Sequence, residues 1–141
     1  MKNLSDLGER KAIKLISKII SKGDIEVGIG DDCAAINMGK EYLLITTDMI
    51  TKKTHMPKEM TPFQIGWFIV AINLSDIASK GGTPLGLVLS FGLPKKTSDA
   101  FLKDLTKGAD ACAEEGDRLG KSDPLLCVSA LSACQGSSYR R

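Results

Sequence analysis

At 141 residues the chain fits one domain and leaves little room for two. Its 43% hydrophobic and 26% charged residues are ordinary globular proportions, which exclude collagen, a coiled coil or a mainly disordered chain. Nineteen basic side chains against 17 acidic ones leave a formal charge of +2, too little for a nucleic-acid binder that works by bulk charge.

The amino terminus runs straight into a charged segment and has no signal-peptide core. Residues 5–22 read as an amphipathic surface helix, capped by Ser5 or Asp6 and ended by Gly23. Ala12, Leu15, Ile16, Ile19 and Ile20 recur at helical spacing, with lysines on the other face. A Gly-rich segment follows over 25–37, and Tyr42–Thr47 is a β-type run. Residues 49–60 read as a polar loop that holds the single histidine, His55. Thr61 and Pro62 then open a helix that runs to about Ser79 and stops at Gly81-Gly82. Leu85–Leu93 reads as a buried strand, Thr97–Glu115 as a helix capped by Thr97 or Ser98, and Leu125–Leu131 as a last strand. The tail over 135–141 is polar and expected to fray. Strands alternating with helices predict an α/β or α+β fold. The apolar runs over 65–72 and 85–93 are far short of the roughly 20 residues a membrane span needs, so no membrane is expected.

Cys33, Cys112, Cys127 and Cys134 form no C-x-x-C pair, which disfavours zinc and points to a reduced, cytoplasmic protein. The informative feature is the placing of acids. Asp31 and Asp32 follow a Gly28-Ile29-Gly30 turn, Asp48 ends a strand after Thr46-Thr47, and Asp76 lies within a helix. Ile65, Ile69, Ile72 and Asp76 are spaced four, three and four apart, which puts Asp76 on an inward stripe, with Asn73 on the same edge. A buried carboxylate is paired or metal-bound, or else bonds a neighbouring loop. Adjacent aspartates on a glycine turn repel a naked phosphate but suit one that arrives with Mg²⁺. Acids on three elements, with hydroxyls beside them, resemble a multi-metal phosphate site, although unrelated surface acids remain the alternative. His55 on its own reads first as a solvent-exposed loop residue, with a phosphate contact as the alternative.

Taken together, Gly28-Ile29-Gly30-Asp31-Asp32-Cys33-Ala34-Ala35, Thr46-Thr47-Asp48-Met49, His55, Asn73-Leu74-Ser75-Asp76-Ile77-Ala78 and Gly81-Gly82-Thr83-Pro84 resemble the thiamine-monophosphate kinases in order and spacing. The resemblance covers residues 5 to about 116 and extends to the superfamily of aminoimidazole ribonucleotide synthetase, whose fold has a mixed sheet flanked by helices. It implies transfer of the γ-phosphoryl group of ATP to thiamine monophosphate, with Mg²⁺ as cofactor. By motif position, Asp32, Thr46, Thr47, Asp48 and Asp76 would be magnesium ligands and His55 would contact the thiamine phosphate, while the role of the adjacent Asp31 stays open, support of the turn being the alternative to a metal contact. It also implies a homodimer whose N-terminal domains pair their sheets. A non-catalytic nucleotide-binding or dimerisation module, or another ATP-dependent member of the superfamily, are the competing readings.

The likeness fades after Gly116. Where the family carries a Gly-Gly-Asp-Thr segment, this chain reads Gly116-Asp117-Arg118-Leu119-Gly120-Lys121-Ser122-Asp123-Pro124. Ungapped alignment places Asp123 there, and Asp117 fits only with a deletion. The expectation is a single domain over 1–141, with an atypical tail over 117–141 and without the family's second domain.

Overall fold

The structure, a computed structural model, describes residues 3–21, 23, 25–119 and the backbone of 127–134. The elements in order are α1 (Leu4–Leu7), α2 (Glu9–Ile16), β1 (Ala34–Asn37), β2 (Tyr42–Thr46), β3 (Met49–Thr51), α3 (Pro62–Ser79), β4 (Gly86–Gly92), α4 (Asp99–Leu119) and β5 (Cys127–Cys134). The fold is mixed α/β, as the alternating pattern predicts.

β1 and β2 form an antiparallel pair, with Ala34 opposite Ile45 and Asn37 opposite Tyr42. The remaining pairings are parallel and all involve β5. β4 lies along one edge of β5 from Gly86 to Gly92. On the other edge β2 and β3 are laid end to end: Thr46 pairs with Ser129 and Met49 with Ser132. Both strands advance by the same number of residues between these pairings, so the register is kept and only the ladder is broken, at Thr47 and Asp48. The predicted loop over 49–60 therefore begins with a short strand, which its own sequence does not announce because its partner lies far along the chain. β5 itself falls in the stretch expected to be atypical tail, and it forms the middle of the sheet. Residues 120–126 and 135–141, which include Asp123 and the polar tail, lie outside the described residues.

α3 forms where capping predicts it. The Thr61 hydroxyl accepts the Gln64 N–H at 3.2 Å, the Gln64 side chain accepts the Thr61 N–H at 2.9 Å, and Pro62 sits in the first turn. Its buried line is Ile65, Ile69, Val70, Asn73 and Ile77, so Ile72 and Asp76 stand at the margin of that face and are only half-buried. α4 starts two residues later than predicted, and Ser98 caps it by accepting the Phe101 N–H at 3.2 Å. The main core joins the two helices to the sheet through Ile50, Ile65, Ile69, Val70, Leu105 and Cys112. α3 and α4 pack backbone to backbone. A Cβ on Gly66 would overlap the Leu105 carbonyl oxygen, and one on Gly108 would overlap the Phe63 carbonyl oxygen.

Two expectations are corrected. The helix predicted over 5–22 is split at Gly8, whose φ of +73° a right-handed helix does not admit. α1 is capped from Asn3, not from Ser5 or Asp6, and the Asp6 carboxylate accepts the Asn3 N–H at 3.1 Å. α2 ends at Ile16, leaving Ile19 and Ile20 beyond it and exposed. The strand predicted as buried is buried on one face only. Leu87, Leu89 and Phe91 pack on the core, while Val88 is 55% exposed on the other side, where Met49 is 58% exposed. Helices cover one face of this sheet, and an uncharged run marks the strand without telling whether one face or two are covered.

Candidate functional site

The predicted residues gather where the end of β2, the break before β3 and the last turns of α3 meet. The hydroxyl of Thr46, 3% exposed, lies 2.9 Å from the Asp32 carbonyl oxygen and 3.0 Å from Asp76 Oδ2. It has one proton for these two acceptors, so it donates to only one at a time. This contact draws the Asp76 carboxylate, the strand end and the Gly28–Asp32 turn to one place. Asp48 occupies the ladder break and cannot give its N–H to β5; that N–H is donated to Asn73 Oδ1 on α3 at 3.2 Å. Burial pushes the Asp48 carboxyl above its ordinary value, the charge of Asp76 adds to the rise, His55 opposes it, and Asp32 contributes further. Asp32, Asp48, Asp76 and His55 therefore share one electrostatic environment. Thr47 is exposed beside Asp48.

The glycine turn is shaped by its own residues and by the end of α3. Gly30 has φ +111°, a value that side-chain-bearing residues rarely adopt. The Asp31 carboxylate accepts the Asp32 N–H at 2.7 Å and pairs with the Lys80 ammonium. That pairing, ahead of its backbone bonds, holds the Asp31 carboxyl below its ordinary value. Asp31 is thus tied into the turn and to the end of α3 by these contacts. Lys80, which pattern reading passes over, ties the turn to α3. Cys33, next in the chain, is buried, and burial pushes its thiol up, which makes it inert as a nucleophile.

His55 is exposed in the turn after β3. Its Nδ1 accepts the Thr51 N–H at 3.2 Å and lies 2.7 Å from the Thr54 hydroxyl, which is itself 2.6 Å from the Thr51 hydroxyl. Since Nδ1 accepts a backbone N–H, the neutral ring carries its proton on Nε2. That nitrogen is a donor suited to an anion.

Among the described residues no three His, Cys, Asp or Glu side chains form a closed ion cage. The donor set instead fits Mg²⁺ that arrives with a phosphate, because Mg²⁺ takes one or two carboxylates from protein and fills its shell with phosphate oxygens and water. Two acceptors competing for the single Thr46 proton, with Asp48 pushed up beside them, leave negative oxygen that a cation would relieve. Asp117, the alternative later acid, is exposed on α4 and is absent from the charges acting on Asp48. The groove between α3 and α4, about 360 Å³ and lined by Trp67, Leu74 and Cys112 among others, contains none of the predicted site residues.

The family described as AIR synthase related protein, N-terminal domain, matches residues 30–118, which contain Asp32, Thr46, Thr47, Asp48, His55 and Asp76. The chain belongs to that family. Among curated proteins it is similar to the thiamine-monophosphate kinase of Methanocaldococcus jannaschii, 37% identical over 96% of this chain and 46% of the relative. It is also similar to that of Pyrococcus horikoshii, 38% identical over 62% of this chain and 28% of the relative. The chain thus spans about half, or less, of the relatives it matches. Among solved structures, AaThiL complexed with AMPPCP and TMP superposes with a TM-score of 0.76 at 24% identity, over 97% of this chain and 40% of that one. The crystal structure of tt0281 from Thermus thermophilus gives 0.70 at 27% identity, over 95% and 41%. These likenesses bear out the fold expected of the AIR synthase related family. No helix among the described residues is long and apolar enough to cross a membrane.

Proposed function

We propose that this chain is the metal- and substrate-binding half of a thiamine-monophosphate kinase, which moves the γ-phosphoryl group of ATP to thiamine monophosphate and yields thiamine diphosphate. The observation that carries the reading is the Thr46 hydroxyl at the end of β2, which lies between the Asp32 backbone carbonyl and the Asp76 carboxylate, with the half-buried Asp48 two residues further on. It gains support from a chain 37% identical to a thiamine-monophosphate kinase over 96% of its length.

Asp32, Thr46, Thr47, Asp48 and Asp76 make up the magnesium-holding set. When bound there, Mg²⁺ would supply charge neutralisation for the phosphoryl group in transfer. Asp48 and Asp76 present carboxylates, Thr47 an exposed hydroxyl, and Thr46 serves by holding Asp76, since its own hydroxyl is buried. A phosphate oxygen of thiamine monophosphate attacks the γ-phosphorus in line, and the new P–O bond forms as the bond to the bridging oxygen of departing ADP breaks. His55 Nε2–H donates to the substrate phosphate. A reduced, cytoplasmic setting belongs to the same reading, because Cys33 and Cys112 are buried free thiols.

The partner is a second copy of this chain. Met49 and Val88 lie exposed on the sheet face that the helices leave bare, and pairing two such faces about a two-fold axis buries both. Light scattering should give a dimer at micromolar concentration, and Val88→Glu should shift it toward monomer; a wild-type monomer overturns the dimer. Calorimetry should show an ATP analogue binding only with Mg²⁺ or Mn²⁺. Turnover by the 141-residue chain should fall far below the roughly 1–100 s⁻¹ usual for kinases, and turnover within that range would show that no second half is needed.

His55→Ala should weaken thiamine monophosphate binding about tenfold, the order expected for a lost hydrogen bond to a charged group. Mg²⁺–nucleotide binding should change less than about twofold, since nucleotide binding in this reading belongs to the aspartates. Equal losses on both ligands would count against a specific substrate role.

A further inference from the structure

We propose that Asn73 is a positioning residue for this site: its buried amide locks the Asp48 backbone at the point where the sheet ladder is broken. The inference rests on the metal–phosphate reading above and adds to it a residue outside the set of acids and hydroxyls.

The need for such a residue follows from the topology. Thr46 and Met49 pair with β5, but the two residues between them do not. A backbone N–H withdrawn from a ladder in a half-buried place must find another acceptor, or the segment pays a desolvation penalty. Asn73 supplies that acceptor from α3, with Oδ1 3.2 Å from the Asp48 nitrogen. Its Nδ2 donates to the Ile69 carbonyl oxygen at 3.0 Å. With a donor on one side and an acceptor on the other, the amide has one orientation that satisfies both.

Asn73 is 0% exposed and lies in the line of Ile65, Ile69 and Ile77. Leucine has the same branched outline, with two methyls in place of the amide oxygen and nitrogen, and would bury there without an amide to desolvate. The polar group is therefore there for what it holds. Asp76 lies three residues further along the same helix and takes the Thr46 hydroxyl. One rigid helix thus sets the Asp76 carboxylate directly and the Asp48 backbone through Asn73, so the spacing of the two acids becomes a property of α3. A cation held between a carboxylate and a phosphate is sensitive to that spacing, and removing groups that orient metal ligands costs about 10- to 100-fold in affinity.

The test compares Asn73→Leu, Asn73→Asp and Ile69→Val in the full 141-residue chain. Hydrogen exchange, read without metal, should show the Asp48 amide exchanging at least about tenfold faster in Asn73→Leu, as the roughly 1.4 kcal/mol scale of one lost bond gives. Asn73→Asp keeps an acceptor and should retain the protection. Binding of Mn²⁺ with a non-hydrolysable ATP analogue should weaken about 10- to 100-fold in Asn73→Leu. Ile69→Val destabilises the same helix by packing alone and should leave the affinity within about twofold, because it removes no group that orients the acids. Should Asn73→Leu fail to fold, Asn73→Ser, too short to reach Asp48, is read in the same two ways. Unchanged Asp48 exchange, or unchanged affinity beside a wild type that binds, overturns the role of Asn73 alone. A wild type that binds no Mn²⁺–nucleotide overturns the kinase reading, and with it the site that Asn73 would serve.

Discussion

Gly66→Ala is expected to destabilise the chain by about 2 kcal/mol or more, even though alanine is the better helix former by about 1 kcal/mol. The added methyl would overlap the Leu105 carbonyl oxygen and crowd the Ala109 nitrogen at 2.9 Å. Both are backbone atoms of α4, which cannot rotate away as a flexible side chain can. The helices must separate, and the core that they share through Ile65, Ile69, Leu105 and Ala109 opens with them. Gly108→Ala meets the Phe63 carbonyl oxygen from the opposite side and should cost a similar amount. The double variant should lose less than the sum, because one separation relieves both overlaps. Gly86→Ala is the control: it has open space about it and no positive φ, so its effect should stay within about 0.5 kcal/mol. Urea unfolding of the variants beside wild type measures this, and a Gly66→Ala chain as stable as wild type would show that the close crossing is wrong.

Asp48→Asn separates stability from function. The folded pKa of Asp48 is raised above its ordinary 3.8, mainly by burial and then by Asp76. The native state therefore binds this proton more tightly than the unfolded chain does. Stability falls as pH rises from about 3.8 through the raised folded value, and the full penalty is present above it. At about pH 7 without metal, Asp48→Asn removes that penalty and should melt at or above the wild-type temperature. Well below pH 3.8, where Asp48 is protonated in both states, the gain should vanish. With Mg²⁺ and a nucleotide the order should reverse, since ligand binding stabilises only a chain that still binds. Nucleotide affinity in Asp48→Asn should drop by at least about 100-fold, the loss of a direct ligand exceeding that of an orienting group. Paired thermal melts across pH, with and without ligand, distinguish these outcomes. Equal ligand-induced stabilisation of the two proteins would remove Asp48 from the site.

Elements whose causes are local were legible in the chain alone. The Thr61 cap, Pro62 and the isoleucine spacing set α3 from Pro62 to Ser79, and the structure adds Gln64 as the other half of a capping box. The uncharged β-type run set β2, whereas helical spacing put Asp76 on the inward stripe and the structure moves it to the margin of the buried face. The acids and glycines in their order also marked the stretches that meet at the end of β2, because each motif is a short, continuous stretch of chain. Long-range contacts settled the rest. The break at Thr47 and Asp48 exists because β5, far along the chain, pairs with β2 before it and with β3 after it. Asn73 reads as one more residue on a helix edge until that break leaves the Asp48 N–H without a strand partner. Gly66 and Gly108 look like weak points in their own helices, yet they permit the crossing of α3 and α4. An uncharged run over 85–93 could not tell one covered face from two. Periodicity reports which side of an element is apolar; what lies against that side is fixed by contacts between distant parts of the chain.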